Sequence, residues 1–335
     1  MTITMRTIIA ALVVLNASVL AQQPKQFNFV TPTTTGRVLV PPAPNWVPSQ
    51  LSLYDDGTRP VVAFKDKTTD MVLSIILFPN DTGKPTAASC RDAAIDPILQ
   101  NISHTATVKN QKRDVRVNSD GTTMATASYL IAAMSDMPVR QQNAFGFYGD
   151  AHTCAEVHVS KANFKPEDQK LLDDQLGRFI FDANYVPTSL DFGTIASIFY
   201  NGLKDYPSAA VYYQRALDTV PTPEPMPGYR RLITDQLSMS YGLSGDLKHS
   251  RAVNEAAILR DPDYPLYYYN LACADAEQGN AADAQAHLRQ AFERKSNTLP
   301  GEHLPDPATD DSILKLKKNK EFWAFVQTLS LQAKP

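Results

Sequence analysis

Two hydrophobic rhythms divide this chain. From about Phe27 to Asn184, apolar residues come in short runs and alternations; beyond Leu190 they recur at helical spacing. In the first half, Pro60–Phe64 and Met71–Phe78 read as strands, and Ala87–Ile102 as a helix kinked at Pro97. Arg113–Val117 reads as a strand, followed by a turn at Ser119-Asp120-Gly121 and a strand through Thr122–Met134. Gln142–Gly149 and His152–Ser160 form a hairpin about Gly149-Asp150. Pro166 opens a closing helix, PEDQKLLDDQLGRF. Strands, a helix, an antiparallel meander and a last helix predict an α+β domain over 27–186, an antiparallel sheet with helices.

The second half repeats itself. Leu237, Gly245 and Ala257 recur 34 residues later as Leu271, Gly279 and Ala291. Tyr200, Ala216 and Pro221 stand 41 residues before Tyr241, Ala257 and Pro262, the surplus falling in the Pro-rich insert Thr222–Pro227. This period with small residues at fixed positions predicts antiparallel helix pairs over 190–296, their backbones brought close where the side chains are small. Gly245-Asp246 and Gly279-Asn280 supply the turns between paired helices, and Tyr241 is expected to pack inside its hairpin. Some positions depart from the pattern. Lys204 replaces the first Gly, Ser250 a small Ala, and Asp275 an aromatic residue. Ser312–Leu329 carries an apolar helical face, so 297–335 is expected to supply capping helices that close the stack.

These repeat residues resemble the tetratricopeptide repeat, and the whole region reads as an all-α tetratricopeptide-like solenoid. In the first half, a hairpin, a strand ending HVSKANFKPED, a closing helix and then FIFD resemble the PsbP-like fold. The second resemblance implies a domain that acts by binding. The first implies a concave groove for an unknown protein or peptide partner. Carried over by register, the groove residues are Ile198, Asn201, Asp235, Met239, Tyr269, Asn270 and Glu277. The Lys/Asn set with which this family clamps a C-terminal carboxylate is missing.

The N-terminus changes the compartment. Arg6 precedes an apolar run from Thr7 to Leu20, and Val19-Leu20-Ala21 offers small residues at a cleavage point before Gln22-Gln23-Pro24. Residues 1–21 therefore read as a signal peptide, and the protein as exported, periplasmic or extracellular. The run is interrupted by Asn16 and Ser18 and falls short of the about 20 residues that span a bilayer. No later segment is long and apolar enough to cross a membrane. Export makes the three cysteines legible. Cys90 and Cys154 are expected to pair, pinning the Ala87–Ile102 helix across the sheet face that carries His158. Cys273, among small residues in a helix, is expected to stay free.

A net charge of −3 argues against a nucleic-acid partner. His152, Cys154, Glu156 and His158 alternate along one strand and share a face, with Ala155, Val157 and Val159 turned to the core. The ends of that set lie about 20 Å apart, too far for one ion to bridge. No GxSxG, HExxH, CxxC or Gly-rich phosphate loop occurs. The expectation is a non-enzymatic interaction or scaffold protein with no cofactor and no metal. The competing reading is a ligand- or metal-binding protein, or an enzyme, acting through the N-terminal domain.

Overall fold

A computed structural model describes residues 26–42, 45–49, 61–118, 120–135 and 137–333. The expected signal peptide over 1–21 lies outside the described residues. The chain forms two compact units, one over Gln23–Thr219 and the other over Val220–Pro335.

The first unit contains strands β1 (Phe27–Phe29), β2 (Arg37–Val40), β3 (Trp46–Pro48), β4 (Val62–Asp66) and β5 (Met71–Pro79), then helix α1 (Ala87–Ile102). Strands β6 (Ala106–Val117), β7 (Thr123–Met134), β8 (Met137–Gly149) and β9 (Thr153–Lys161) follow. Helix α2 (Gln169–Leu176) and strand β10 (Ile180–Asp182) lead to the pair α3 (Ser189–Ser197) and α4 (Tyr206–Asp218). One sheet has the order β3-β4-β5-β9-β8-β7-β6, and a smaller one β1-β2-β10. Every pairing is antiparallel. The α+β reading therefore holds.

Register explains the faces. Phe145 and Phe147 of β8 stand opposite His158 and Glu156 of β9, and Ser74 of β5 also pairs with His158. Alternation puts all of these on one face. Helix α1 covers that face through Ala87 and Ile95, packed with Ala125, Ala127, Tyr129, Phe145 and Phe147. Each Phe buried there contributes about 1.5–3 kcal/mol. Thr86 caps α1 by accepting from the Ser89 amide, and the helix runs through Pro97. The Cys90–Cys154 disulfide is present, with Cα atoms 5.6 Å apart, and ties α1 to β9 as expected. Gly149 lies beneath it, where a Cβ would come within 2.4 Å of the Cys90 sulfur. On the opposite face, Tyr148 stacks on Phe181 and donates to the Phe179 carbonyl at 3.0 Å.

The units divide after Thr219, whereas the sequence reading changes domain near residue 190. The first helix pair is anchored on the strands. Asn28 of β1 donates to Asp191 of α3 at 2.8 Å, and Gly202 sits against the Pro48 ring of β3. Between α3 and α4, Ile198–Leu203 forms a π-turn, and Lys204 takes the left-handed conformation (φ 56°) that the later pairs give to Gly245 and Gly279.

The second unit contains α5 (Tyr229–Leu243), α6 (Leu247–Arg260), α7 (Pro265–Glu277), α8 (Ala281–Glu293), α9 (Asp311–Leu314) and α10 (Lys320–Ala333). Gly245 (φ 86°) and Gly279 (φ 81°) end α5 and α7, conformations that cost Gly little. Ala257 and Ala291 are fully buried, in one core with Ile313, Phe322, Val326 and Leu329 from the C-terminal helices. Tyr241 is only half-buried and stacks on exposed His249, at the rim of its hairpin instead of inside it. Ala291→Leu is expected to overpack the core and cost about 1–3 kcal/mol, read as a lower urea midpoint. An unchanged midpoint would remove Ala291 from the helix crossing.

Candidate functional site

The seven expected groove residues fall in both units. Ile198 is half-buried and Asn201 exposed in the π-turn of the first unit, where the Asn201 amide donates to Ser197 at 3.0 Å. In the second unit Met239 is half-buried on α5. The other four bond to groups on other elements. Asp235 is buried and accepts from Asn270 of α7 at 2.8 Å. Tyr269 is buried and donates to Asp310 at 3.3 Å. Glu277 accepts from Ser312 at 2.8 Å and from Lys315. Asp235 and Tyr269 hold equivalent positions in successive repeats, 34 residues apart, and each bonds beyond its own helix pair, Asp235 to α7 and Tyr269 to the start of α9. They form the seam between elements, which an open groove would leave exposed.

What lies on α7 is the segment from Leu299 to Lys315. Its Glu302 is buried, accepting from the Tyr264 hydroxyl at 2.6 Å and the Leu299 amide at 2.8 Å. Asp310 caps α9 through the Ser312 and Ile313 amides and faces the free thiol of Cys273, 3.7 Å from sulfur to oxygen. Leu304 and Ile313 bury their side chains. The sequence offers little sign of this segment, because irregular chain held by side-chain contacts leaves no periodicity. Its one local mark is Asp310, a helix-start acid.

Burial sets the electrostatics of the seam. The Asp235 carboxyl is pushed up to about 7 by burial, with Glu302 adding repulsion and Asn270 opposing the shift. Glu302 and Asp310 are also raised by burial, against the hydrogen bonds they accept. The Cys273 thiol is raised by burial and by neighbouring Asp310, so it is a poor nucleophile at neutral pH. A second polar cluster stands at Asp275, in the place of the aromatic residue. It is fully buried and accepts from Arg251 of α6 and from His287 of α8, the latter at 2.6 Å.

The histidine-bearing strand holds its groups apart. His152 is exposed at the turn, and Cys154 is in the disulfide. His158 is buried and stacks on Phe145 with centroids 4.2 Å apart. Its Nε2 donates to Asn143 at 3.1 Å and its Nδ1 faces Ser74 at 3.4 Å. Burial pushes its pKa down to about 3, so the ring is neutral. β9 is the middle strand of the large sheet and is covered on both faces, in keeping with a helix laid across the side that carries His158. Among the described residues no group of three or more His, Cys, Asp or Glu could hold a metal ion, and no helix is long and apolar enough to cross a membrane.

No family model matches the chain, and no curated protein does. Solved structures similar to it include examples of both families that its sequence resembles. The Sgt2 TPR domain from Aspergillus fumigatus is 18% identical, covers 45% of this chain and 86% of its own, and has a TM-score of 0.31. Cyanobacterial PsbP from Synechocystis sp. PCC 6803 is 16% identical, covers 47% of this chain and 92% of its own, and has a TM-score of 0.35. The TPR-containing domain of a putative FK506-binding protein of Plasmodium falciparum is 18% identical, covers 41% and 91%, and has a TM-score of 0.29.

Proposed function

We propose that this chain is an exported, non-enzymatic interaction protein whose helix pairs bind a protein or peptide partner. The observation that carries the reading is on α7, which already holds a stretch of polypeptide from outside the helix pairs. Tyr264 just before the helix, and Tyr269 and Glu277 on it, engage that stretch through side chains. The expected groove positions that stay half-buried or exposed are Met239 on α5 and, in the first unit, Ile198 and Asn201. The disulfide accords with an oxidising compartment.

A photo-crosslinking residue placed at Met239 or Asn201 tests this in the source cell. The expected result is a discrete protein adduct from each, with none from Leu259, an 88% exposed position of α6. Equal labelling at Leu259, or no adduct at either inner position, would count against the reading.

A further inference from the structure

The seam between α5, α7 and the C-terminal segment concentrates buried acid. Asp235 and Glu302 are each about 2% exposed, and Asp310 meets Tyr269 and Cys273. Elsewhere in this unit a buried carboxylate is matched by a cation, as Asp275 is by Arg251. Among the described residues, none of the three seam acids has an ion-pair partner within salt-bridge distance. The nearby guanidinium, Arg231 of α5, is committed to Asp261 at 2.6 and 2.8 Å and to the Asn297 carbonyl. A buried ionised carboxylate without a cation is costly, and protonation removes that cost.

We infer that the Leu299–Leu314 segment is a proton-operated cap, seated on α7 while Asp235, Glu302 and Asp310 carry protons and lifted when they ionise. The inference rests on the proposed binding role and concerns the same unit, since lifting the cap uncovers the flank of α7 for a partner.

The surrounding charges set the direction. α5 brings Arg231 and Asp235, and the turn before α7 brings Asp261 and Tyr264. Helix α7 brings Tyr267, Tyr269, Cys273 and Glu277, of which Glu277 is paired with Lys315. The segment brings Glu302, His303, Asp306 and Asp310; His303 is exposed and Asp306 receives Ser330 at 2.9 Å. Acids outnumber cations around the seam, so raising the pH adds repulsion that Arg231 and His303, the positive neighbours of Glu302, offset only in part. Carboxyls whose folded pKa is raised favour the seated state at low pH and weaken it as pH rises. Asp235 is half-ionised near pH 7, and the cap loosens as the pH rises through that range.

Cys273 reports on the cap, because Asp310 lies over its thiol. The experiment measures the reaction of 4,4′-dithiodipyridine with Cys273 in the full chain between pH 4.5 and 8, referred to glutathione at each pH. The relative rate is expected to rise with pH while far-UV circular dichroism stays constant. Glu302→Gln, which leaves the thiol's own neighbours in place, should slow labelling at pH 8 by about tenfold. Asp235→Asn should act in the same direction, and serves as the second variant should one fail to fold. Hydrogen exchange in 299–316 should follow the same pH course. A flat relative rate, or variants that label like the wild type, would overturn the cap. So would labelling that rises only with loss of the circular dichroism signal. Loss of the Met239 and Asn201 adducts alongside a working cap would instead remove the binding role and leave the proton response standing.

Discussion

Replacing both Cys90 and Cys154 by Ala is expected to lower the stability of the Gln23–Thr219 unit by about 4 kcal/mol. The bond joins residues 64 apart in sequence and so closes a long loop in the unfolded chain. Loop-closure entropy of that size dominates the estimate, and both sulfurs are fully buried, so their removal also leaves unfilled space. The loss should appear in a urea titration as an earlier transition for this unit, with the helical unit unmoved. A shift below about 1 kcal/mol would mean that α1 is held by its apolar contacts with Phe145 and Phe147 and owes little to the covalent link.

Asp275→Ala is expected to destabilise the helical unit by about 3 kcal/mol, because breaking a buried ion pair from one side strands Arg251 and also leaves His287 without its acceptor. Arg251 and His287 are only 27% and 24% exposed at their side chains, so water compensates them poorly. Asp275→Asn should cost less, since the amide oxygen can still accept one hydrogen bond. The comparison of the two variants by thermal melting separates charge from shape. Equal losses for Ala and Asn would assign the effect to the charge alone, and no loss for either would leave the cluster without a structural role.

Much of the architecture was legible where one residue type answers one physical demand. Gly245 and Gly279 mark helix ends because their left-handed backbone suits Gly, and Ala257 and Ala291 mark helix crossings because the core there leaves no room. The first repeat hid its turn, since Lys204 adopts the same conformation without being Gly. Strand β6 was seen only from Arg113 onward. In its first half only Ala106 and Val108 alternate inward, a run too short to mark a strand before the exposed polar stretch Lys109–Lys112. The seam was misread for a different reason. Register says which repeat positions are equivalent, but not whether the next surface is solvent or another part of the chain. Asp235 and Tyr269 became seam residues because Asn270 and Asp310 arrive opposite them. The neutral state of His158 likewise depends on β9 being covered on both faces, which strand order settles and local sequence does not.

The hand-over from Asp235 to Asn270, and from Tyr269 to Asp310, makes the helical unit directional. Each link is asymmetric: a carboxylate receives from the next helix pair at one joint, and a hydroxyl gives to the C-terminal segment at the other. The elements are therefore not interchangeable bricks. A duplicate of α7–α8 spliced in after Glu293 would set the Tyr269 hydroxyl against the duplicate's copy of Asn270 in place of the carboxylate of Asp310. Lengthening this array, by evolution or by design, requires the polar code at each joint to be rewritten along with the helices.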